Sequence, residues 1–93
     1  MFTKQSNIQR LERIVKGFAN RRRLEVLALL EREPGLSVDE IAGRLRMGYI
    51  NASDHLRKMA LAGLLVKRSD GRSVRHHLTP RAIGILSFCK KLK

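Results

Sequence analysis

The segment from Leu36 to Leu78 constrains the fold more than any other part of the chain. It reads as a short helix, a tight turn, a second helix, and then a two-stranded ribbon with a charged tip. The expected helices run from Val38 to Leu45 and from Tyr49 to Ala62, with Arg46-Met47-Gly48 between them. Ser37 stands where a cap belongs, and Glu40 three residues on completes a capping box. On the second helix Ala52, Leu56, Met59 and Gly63 step by four, three and four, which is the spacing of an inward stripe. Gly63 suits a helix stop, because a glycine accepts the left-handed backbone found there. From Leu64 the helical period is lost. Leu64 to Arg68 and Ser73 to Leu78 read as strands joined through Ser69-Asp70-Gly71-Arg72, in which Asp70-Gly71 is the hairpin signal. Val74, His76 and Leu78 then alternate with Arg75 and His77, one set facing in and the other out.

The flanks read as helices too. From Ser6 to Lys16 the apolar positions Ile8, Leu11, Ile14 and Val15, with Phe18 beyond, fall on one helical face, and Gly17 is expected to bend or loosen its end. Asn20 is placed to cap a helix carrying Leu24, Val26, Leu27 and Leu30, which stops before Pro34-Gly35. Ile41, Ala42 and Leu45 form the inner face of the next. Thr79-Pro80 opens a last helix that is apolar over a wide arc through Ala82, Ile83, Ile85, Leu86, Phe88, Cys89 and Leu92. The expected fold class is mainly α with a small β-hairpin: five helices, the ribbon lying between the fourth and fifth. That order is a winged helix-turn-helix, a frame that lays one helix in the DNA major groove. Residues 1–93 make one domain, with 1–18 and 80–93 as dimerisation helices. So short a chain buries a modest core, and an obligate dimer is a natural way to bury more.

The charge map supports a polyanionic partner. The chain carries 20 Lys and Arg against 8 acids, a formal net charge of +12. Residues 1–23 hold seven bases and one acid, and residues 44–75 hold eight bases and two acids. Residues 24–43 reverse the balance, with Arg32 against Glu25, Glu31, Glu33, Asp39 and Glu40. The basic excess therefore covers the expected recognition helix and ribbon and skips the segment that packs behind them, as binding to duplex DNA requires. No apolar run approaches the ~18–20 residues that span a bilayer. Met1-Phe2-Thr3-Lys4 opens no signal-peptide apolar region, and the single Cys89 cannot form an internal disulfide. The expected location is the cytoplasm, with no membrane partner.

The first outward positions of the fourth helix are Tyr49, Ile50 and Asn51, then Ser53, Asp54 and His55, then Arg57 and Lys58. Asn51 can pair bidentately with adenine or bond a phosphate. Ile50 has no core slot, and contact with a thymine methyl would account for it. Tyr49 can bond a phosphate or pack on a sugar. Asp54 either accepts from a cytosine amine or pairs with Arg57 or Lys58. On the ribbon, Lys67, Arg68, Arg72 and Arg75 can reach the flanking backbone or the minor groove. Arg23 and Ser37 are weaker candidates for the DNA backbone, Arg23 either touching phosphate or capping an acidic neighbour. A dimer seam is expected from Ile8, Leu11, Val15, Ile83, Leu86, Phe88 and Cys89. His55, His76 and His77 do not make a metal site, since His76 and His77 point to opposite faces of a strand and no Cys pair completes four ligands. His76 is expected to pack inward. Cys89 reads as core or seam, with Lys90 and Lys91 beside it able to lower its pKa for a redox role. Nothing pairs a nucleophile with an oriented base, so no enzyme is expected, and no cofactor.

From Phe18 to Thr79 the chain resembles the arsenic-repressor (ArsR) family of winged-helix transcription factors. The likeness rests on Phe18-Ala19-Asn20-Arg21-Arg22-Arg23-Leu24, Leu36-Ser37-Val38-Asp39-Glu40-Ile41-Ala42, Ser53-Asp54-His55-Leu56, Ala62-Gly63-Leu64-Leu65, and Gly71-Arg72 with Val74. It implies a homodimer formed by the first and last helices, bound to an inverted-repeat operator. Where arsenic and cadmium sensors of that family carry cysteines on the third helix, this chain has Ala42 and Arg44, and His76 replaces the usual wing aromatic. Leu61 stands where an exposed polar residue is usual, and reads as a patch for a partner. The expected function is a sequence-specific, double-stranded-DNA-binding transcriptional regulator, a homodimeric repressor whose effector the sequence leaves open. The alternatives are a non-specific architectural DNA binder and a winged-helix module for protein contact.

Overall fold

A computed structural model describes residues 4–92. Its elements follow in the order α1 (Gln5–Phe18), α2 (Arg21–Arg32), α3 (Val38–Leu45), α4 (Tyr49–Leu61), β1 (Leu65–Ser69), β2 (Val74–Leu78) and α5 (Pro80–Lys90). This is the winged helix-turn-helix expected from the sequence, five helices and one antiparallel hairpin. Residues 1–3 and 93, which belong to the expected dimerisation segments, lie outside the described residues.

The helix boundaries have local causes. The Asn20 side chain accepts from the Arg22 and Arg23 amides at the start of α2. Ser37 Oγ accepts from the Glu40 amide, and the Glu40 carboxylate accepts from the Ser37 amide, closing the capping box on α3. The bond from the Ser37 amide first, and then the Ser37 hydroxyl, hold the Glu40 carboxyl below its ordinary pKa. Thr79 Oγ1 accepts from the Ala82 amide at the start of α5 and donates to the Gly63 carbonyl, 2.7 Å away. At the end of α4 Gly63 takes a φ of +76° and the Leu64 amide donates back to the Met59 carbonyl. Leu64 therefore closes the helix, and the ribbon starts one residue later than expected. It ends its turn one residue later too, because the Ser73 carbonyl accepts from the Asp70 amide.

The core is aliphatic. Val26, Leu27, Leu29, Leu30, Ile41, Leu56, Met59, Leu64, Ala82 and Leu86 pack around one centre, with the inward stripe of α4 in the middle. On α2 the buried arc is Val26, Leu27, Leu29 and Leu30, while the expected Leu24 lies at its edge, partly exposed. Gly17 differs from expectation. It does not end α1, which continues to Phe18, and it is buried. A methyl built on Gly17 would stand 2.4 Å from the Ala62 Cβ, so the missing side chain is what lets α1 lie against the end of α4. Leu86, expected at a dimer seam, is 7% exposed and belongs to this core, because α5 turns its Ala82–Leu86 stripe inward.

The hairpin pairs Leu65 with Leu78 through Ser69 with Val74. A feature the sequence did not announce joins it to the body: Leu36 forms an isolated bridge with His76. The Gly35 amide donates to the His76 carbonyl, and the His76 amide donates to the Leu36 carbonyl. The loop ahead of α3 is thereby a one-residue third strand. No described helix is long and apolar enough to cross a membrane.

Candidate nucleic-acid interface

Two arginines at the start of α2 hold the helix-turn-helix in shape. Arg22 Nη1 donates to the Leu45 carbonyl at 3.0 Å and to Glu25 Oε1 at 3.0 Å, and its Nη2 reaches the Arg46 carbonyl at 3.5 Å. These carbonyls belong to the last residue of α3 and to the turn that follows it, where Arg46 holds a positive φ of 53°. Charge-assisted bonds to carbonyls that a helix end leaves unpaired fix the exit angle of the chain. Arg23 Nε donates to His55 Nδ1 at 3.1 Å, and its Nη1 donates to the Lys16 carbonyl at 2.9 Å. Arg23 thus ties the end of α1 to the middle of α4. The acidic neighbour expected for it is absent from its described partners, and its guanidinium is half-buried between helices rather than presented outward.

The same bond settles His55. A ring nitrogen that accepts from a guanidinium is unprotonated, and burial, then the Arg23 charge, hold the His55 pKa below the ordinary value. His55 therefore faces into the molecule as an acceptor.

Around it the outer face of α4 is open. Ile50 is 81% exposed, and Tyr49, Asn51, Arg57 and Lys58 are exposed as well, with Ser53 and Asp54 half-buried. The helix starts at Gly48 with no side-chain cap and no acid in its first turn, so its leading amides point outward unneutralised. Of the two roles open to Asp54, the structure holds the ion pair. Asp54 accepts from Arg57 Nη2 at 2.7 Å and from Lys58 Nζ at 3.1 Å. Those bonds, Lys58 first, keep its carboxyl below the usual range.

The wing supplies a second set of cations. Lys67, Arg68 and Arg72 are exposed and have no ion-pair partner among the described residues. Arg75 is different. It pairs with Asp70 across the turn and its Nη1 donates to the Gly35 carbonyl at 2.9 Å. Arg75 thus braces the tip against the body. At the other end of the tip, Arg72, Tyr49 and Ser37 line one cleft of about 260 Å³ with Val38, Asp39, Ser73 and Val74. Three residues distant in sequence, each expected to meet a phosphate, so converge at the start of α4.

His76 is buried, and its Nδ1 lies 2.9 Å from the Leu36 carbonyl, which can only accept. Burial lowers its pKa below the ordinary histidine value of 6.5. The unfolded chain then binds a proton that the fold resists, so stability is full above pH 6.5 and is lost on acidification from there toward the folded-state pKa. The unfolding midpoint should fall between about pH 7.5 and about pH 5.5, and His76→Phe should flatten part of that fall. A midpoint independent of pH in the parent would contradict the buried neutral ring. His77 points the other way, and no group of three His, Cys, Asp or Glu among the described residues could hold a metal ion.

The expected seam residues Ile8, Leu11 and Val15 form an exposed stripe on α1, and Ile83 and Phe88 are exposed on α5 with Cys89 half-buried. On α5 these apolar side chains flank the buried stripe on both sides.

The model of the HVO_A0114 family matches residues 19–86. The chain belongs to the HVO_A0114 family. No curated protein matches it. In structure it is similar to the homodimeric winged helix-turn-helix DNA-binding domain Mb0332 (fragment 1-100) from Mycobacterium bovis, a possible ArsR-family transcriptional regulator. That likeness has a TM-score of 0.86 at 24% identity over 99% of this chain and 85% of that one. It is similar to HlyU from Vibrio cholerae, with a TM-score of 0.81 at 27% identity over 96% and 97% of the two chains. It is also similar to the transcriptional regulator HlyU from Vibrio vulnificus, with a TM-score of 0.75 at 26% identity over 95% and 92%. The resemblance to ArsR-type winged-helix regulators read from the sequence is thus also a resemblance in structure.

In this HVO_A0114-family chain the matched span holds α2 to α4, the wing and most of α5, and leaves out α1. Sequence reasoning missed Arg22 altogether and gave Arg23 an outward role. Their partners lie 23 to 32 residues away for the long-range bonds, beyond any local spacing rule. The one available signal was the run Arg21-Arg22-Arg23 straight after a cap, where a first helical turn ordinarily favours acids.

Proposed function

We propose that this chain is a sequence-specific, double-stranded-DNA-binding transcriptional regulator that acts as a homodimeric repressor in the cytoplasm. One observation carries the reading: an uncapped helix start with exposed Tyr49, Ile50 and Asn51 shares a cleft with the wing cation Arg72, which has no ion-pair partner among the described residues. Asn51 and Ile50 read base edges in the major groove, and Tyr49, Arg57 and Lys58 hold the phosphates beside it. Arg72 and Lys67 anchor the wing on the flanking backbone or minor groove. Ile8, Leu11 and Val15 with Ile83 and Phe88 form the seam between two copies. The two-fold axis then calls for an inverted-repeat operator with half-sites about 34 Å apart. The homodimeric Mycobacterium domain supports that assembly.

Selection from a random duplex pool by the purified protein, with its mass measured alongside, tests the whole reading. Enrichment of a palindrome by a dimer is the expected result. Recovery of unenriched DNA points instead to an architectural binder, and failure to bind at moderate salt points to a protein-contact module. Two variants divide the roles. Arg72→Ala should weaken binding to all sequences and flatten the salt slope by about one unit for each protomer. Asn51→Ala should reduce the preference for the operator over random DNA by ~1–3 kcal/mol. If both bind as the parent does across a salt titration, the groove assignment is wrong.

A further inference from the structure

The recognition helix and the wing leave one part of the charge map unexplained. Residues 1–23 carry as large a basic excess as residues 44–75, yet α1 takes no part in the interface described above. Arg22 and Arg23 are spent inside the fold, Arg21 pairs with Glu25 at 3.9 Å, and Lys16 pairs with Glu12 at 3.2 Å. Apart from Lys4 ahead of α1, Arg10 and Arg13 remain, exposed and without an acidic partner among the described residues.

Both face a groove of about 310 Å³ lined by Arg10, Arg13 and Ile14 of α1, Lys58, Leu61 and Ala62 at the end of α4, and Arg81 of α5. Four cations from three helices surround it and no carboxylate lines it; of the four, only Lys58 has an acidic partner, Asp54, among the described residues. Arg81 Nη1 is fixed by the Ala62 carbonyl at 2.8 Å, so the cluster does not simply disperse. Like charges gathered round one concavity repel until an anion enters, and a focused positive field draws one in. The groove also lies at a telling place. Tyr49 and the Arg72 cleft mark the start of α4, and Lys58, Leu61 and Ala62 mark its end, about 18 Å away along 13 residues. On α1, Arg10 and Arg13 occupy the side opposite the stripe of Ile8, Leu11 and Val15. The cation cluster therefore stands between the recognition helix and the proposed seam.

We infer that this groove is a second DNA-backbone site, in which Arg10, Arg13, Lys58 and Arg81 receive the phosphates of the operator's central spacer. The inference rests on the dimeric DNA-binding reading above. When two recognition helices enter successive major grooves one turn apart, the minor groove between them faces the dimer. Its bordering phosphates run under the inner ends of the two α4 helices, where this groove opens. The wing holds the outer flank of each half-site and the groove holds the inner one. Leu61, 77% exposed beside Lys58, packs on the sugars between those phosphates.

The experiment is phosphate-ethylation interference on the selected operator, joined to salt titrations of the parent, Arg10→Gln/Arg13→Gln, Arg10→Lys/Arg13→Lys and Arg72→Ala. In the parent, ethylation of the spacer phosphates should block binding as well as ethylation at the outer flanks. The double Gln variant should lose interference in the spacer alone and flatten the salt slope by about 0.9 for each arginine–phosphate contact removed. The double Lys variant should keep both, and Arg72→Ala should lose the outer flank instead. A parent that binds its operator with no spacer interference overturns the inference without any variant having to fold. So does a double Gln variant with the parent's slope and pattern, which assigns the groove to some other anion. A parent that binds no duplex at all brings down the DNA-binding reading itself, a result separate from either.

Discussion

Leu56→Ala should cost about 2–5 kcal/mol of folding stability, the range for deleting a fully buried aliphatic side chain from a rigid core. Leu56 is 1% exposed and lies between Ala52 and Met59 on the inward stripe of α4. Its surroundings come from several elements, so no single neighbour can move in to fill the void. For a domain of this size each kcal/mol lowers the unfolding midpoint by roughly 4–8 °C. Thermal and urea unfolding followed by circular dichroism would measure it. A loss under about 1 kcal/mol would mean that the site collapses freely and that α4 is not held as described. Because the outer face of the same helix is the proposed reading surface, operator affinity of Leu56→Ala at low temperature should fall far less than stability does.

Gly17→Val should also cost more than an ordinary surface change. A glycine inside a helix is normally a weakness, and replacing it gains roughly 0.5–1 kcal/mol. Here the new Cβ would meet the Ala62 Cβ at 2.4 Å, and neither atom lies at the end of a flexible side chain. Overpacking of this kind costs about 1–3 kcal/mol, and the branched valine adds to it. The net sign is therefore unfavourable. A paired test isolates the cause: Gly17→Ala should destabilise, and Ala62→Gly in that background should recover much of the loss, as contacting residues couple. Recovery no better than additive would remove Gly17 from the α1–α4 contact.

What the sequence made legible is what local rules govern. The bounds of α3 follow from the capping box at Ser37 and the break at Met47-Gly48, and the structure places α3 at Val38–Leu45 as read. The α4 stripe was legible because Ala52, Leu56 and Met59 repeat at helical spacing. Misreadings arose where a residue answers to something distant. Gly17 looks like a loose end until Ala62, 45 residues on in the chain, comes against it. Leu36 looks like loop until His76 offers it a strand. Leu86 lies on an almost wholly apolar helix, where periodicity cannot tell core from exposed face. Arg75 could not be told from Arg72 by composition, although one braces the turn through Asp70 and the other has no ion-pair partner among the described residues. The Arg10–Arg13 groove needed three helices to be placed before it existed at all.

The bridge from Leu36 to His76, with the Arg75 bond to Gly35, ties the hairpin to the loop that leads into α3, and so to the helix-turn-helix that carries the proposed reading helix. Such a head surrenders little freedom when it docks, so little of its binding energy is consumed in ordering itself. It also cannot mould itself to an ill-fitting duplex. The adjustment then falls on the DNA, and base steps that bend or twist cheaply beneath the wing will be favoured even where no side chain touches them.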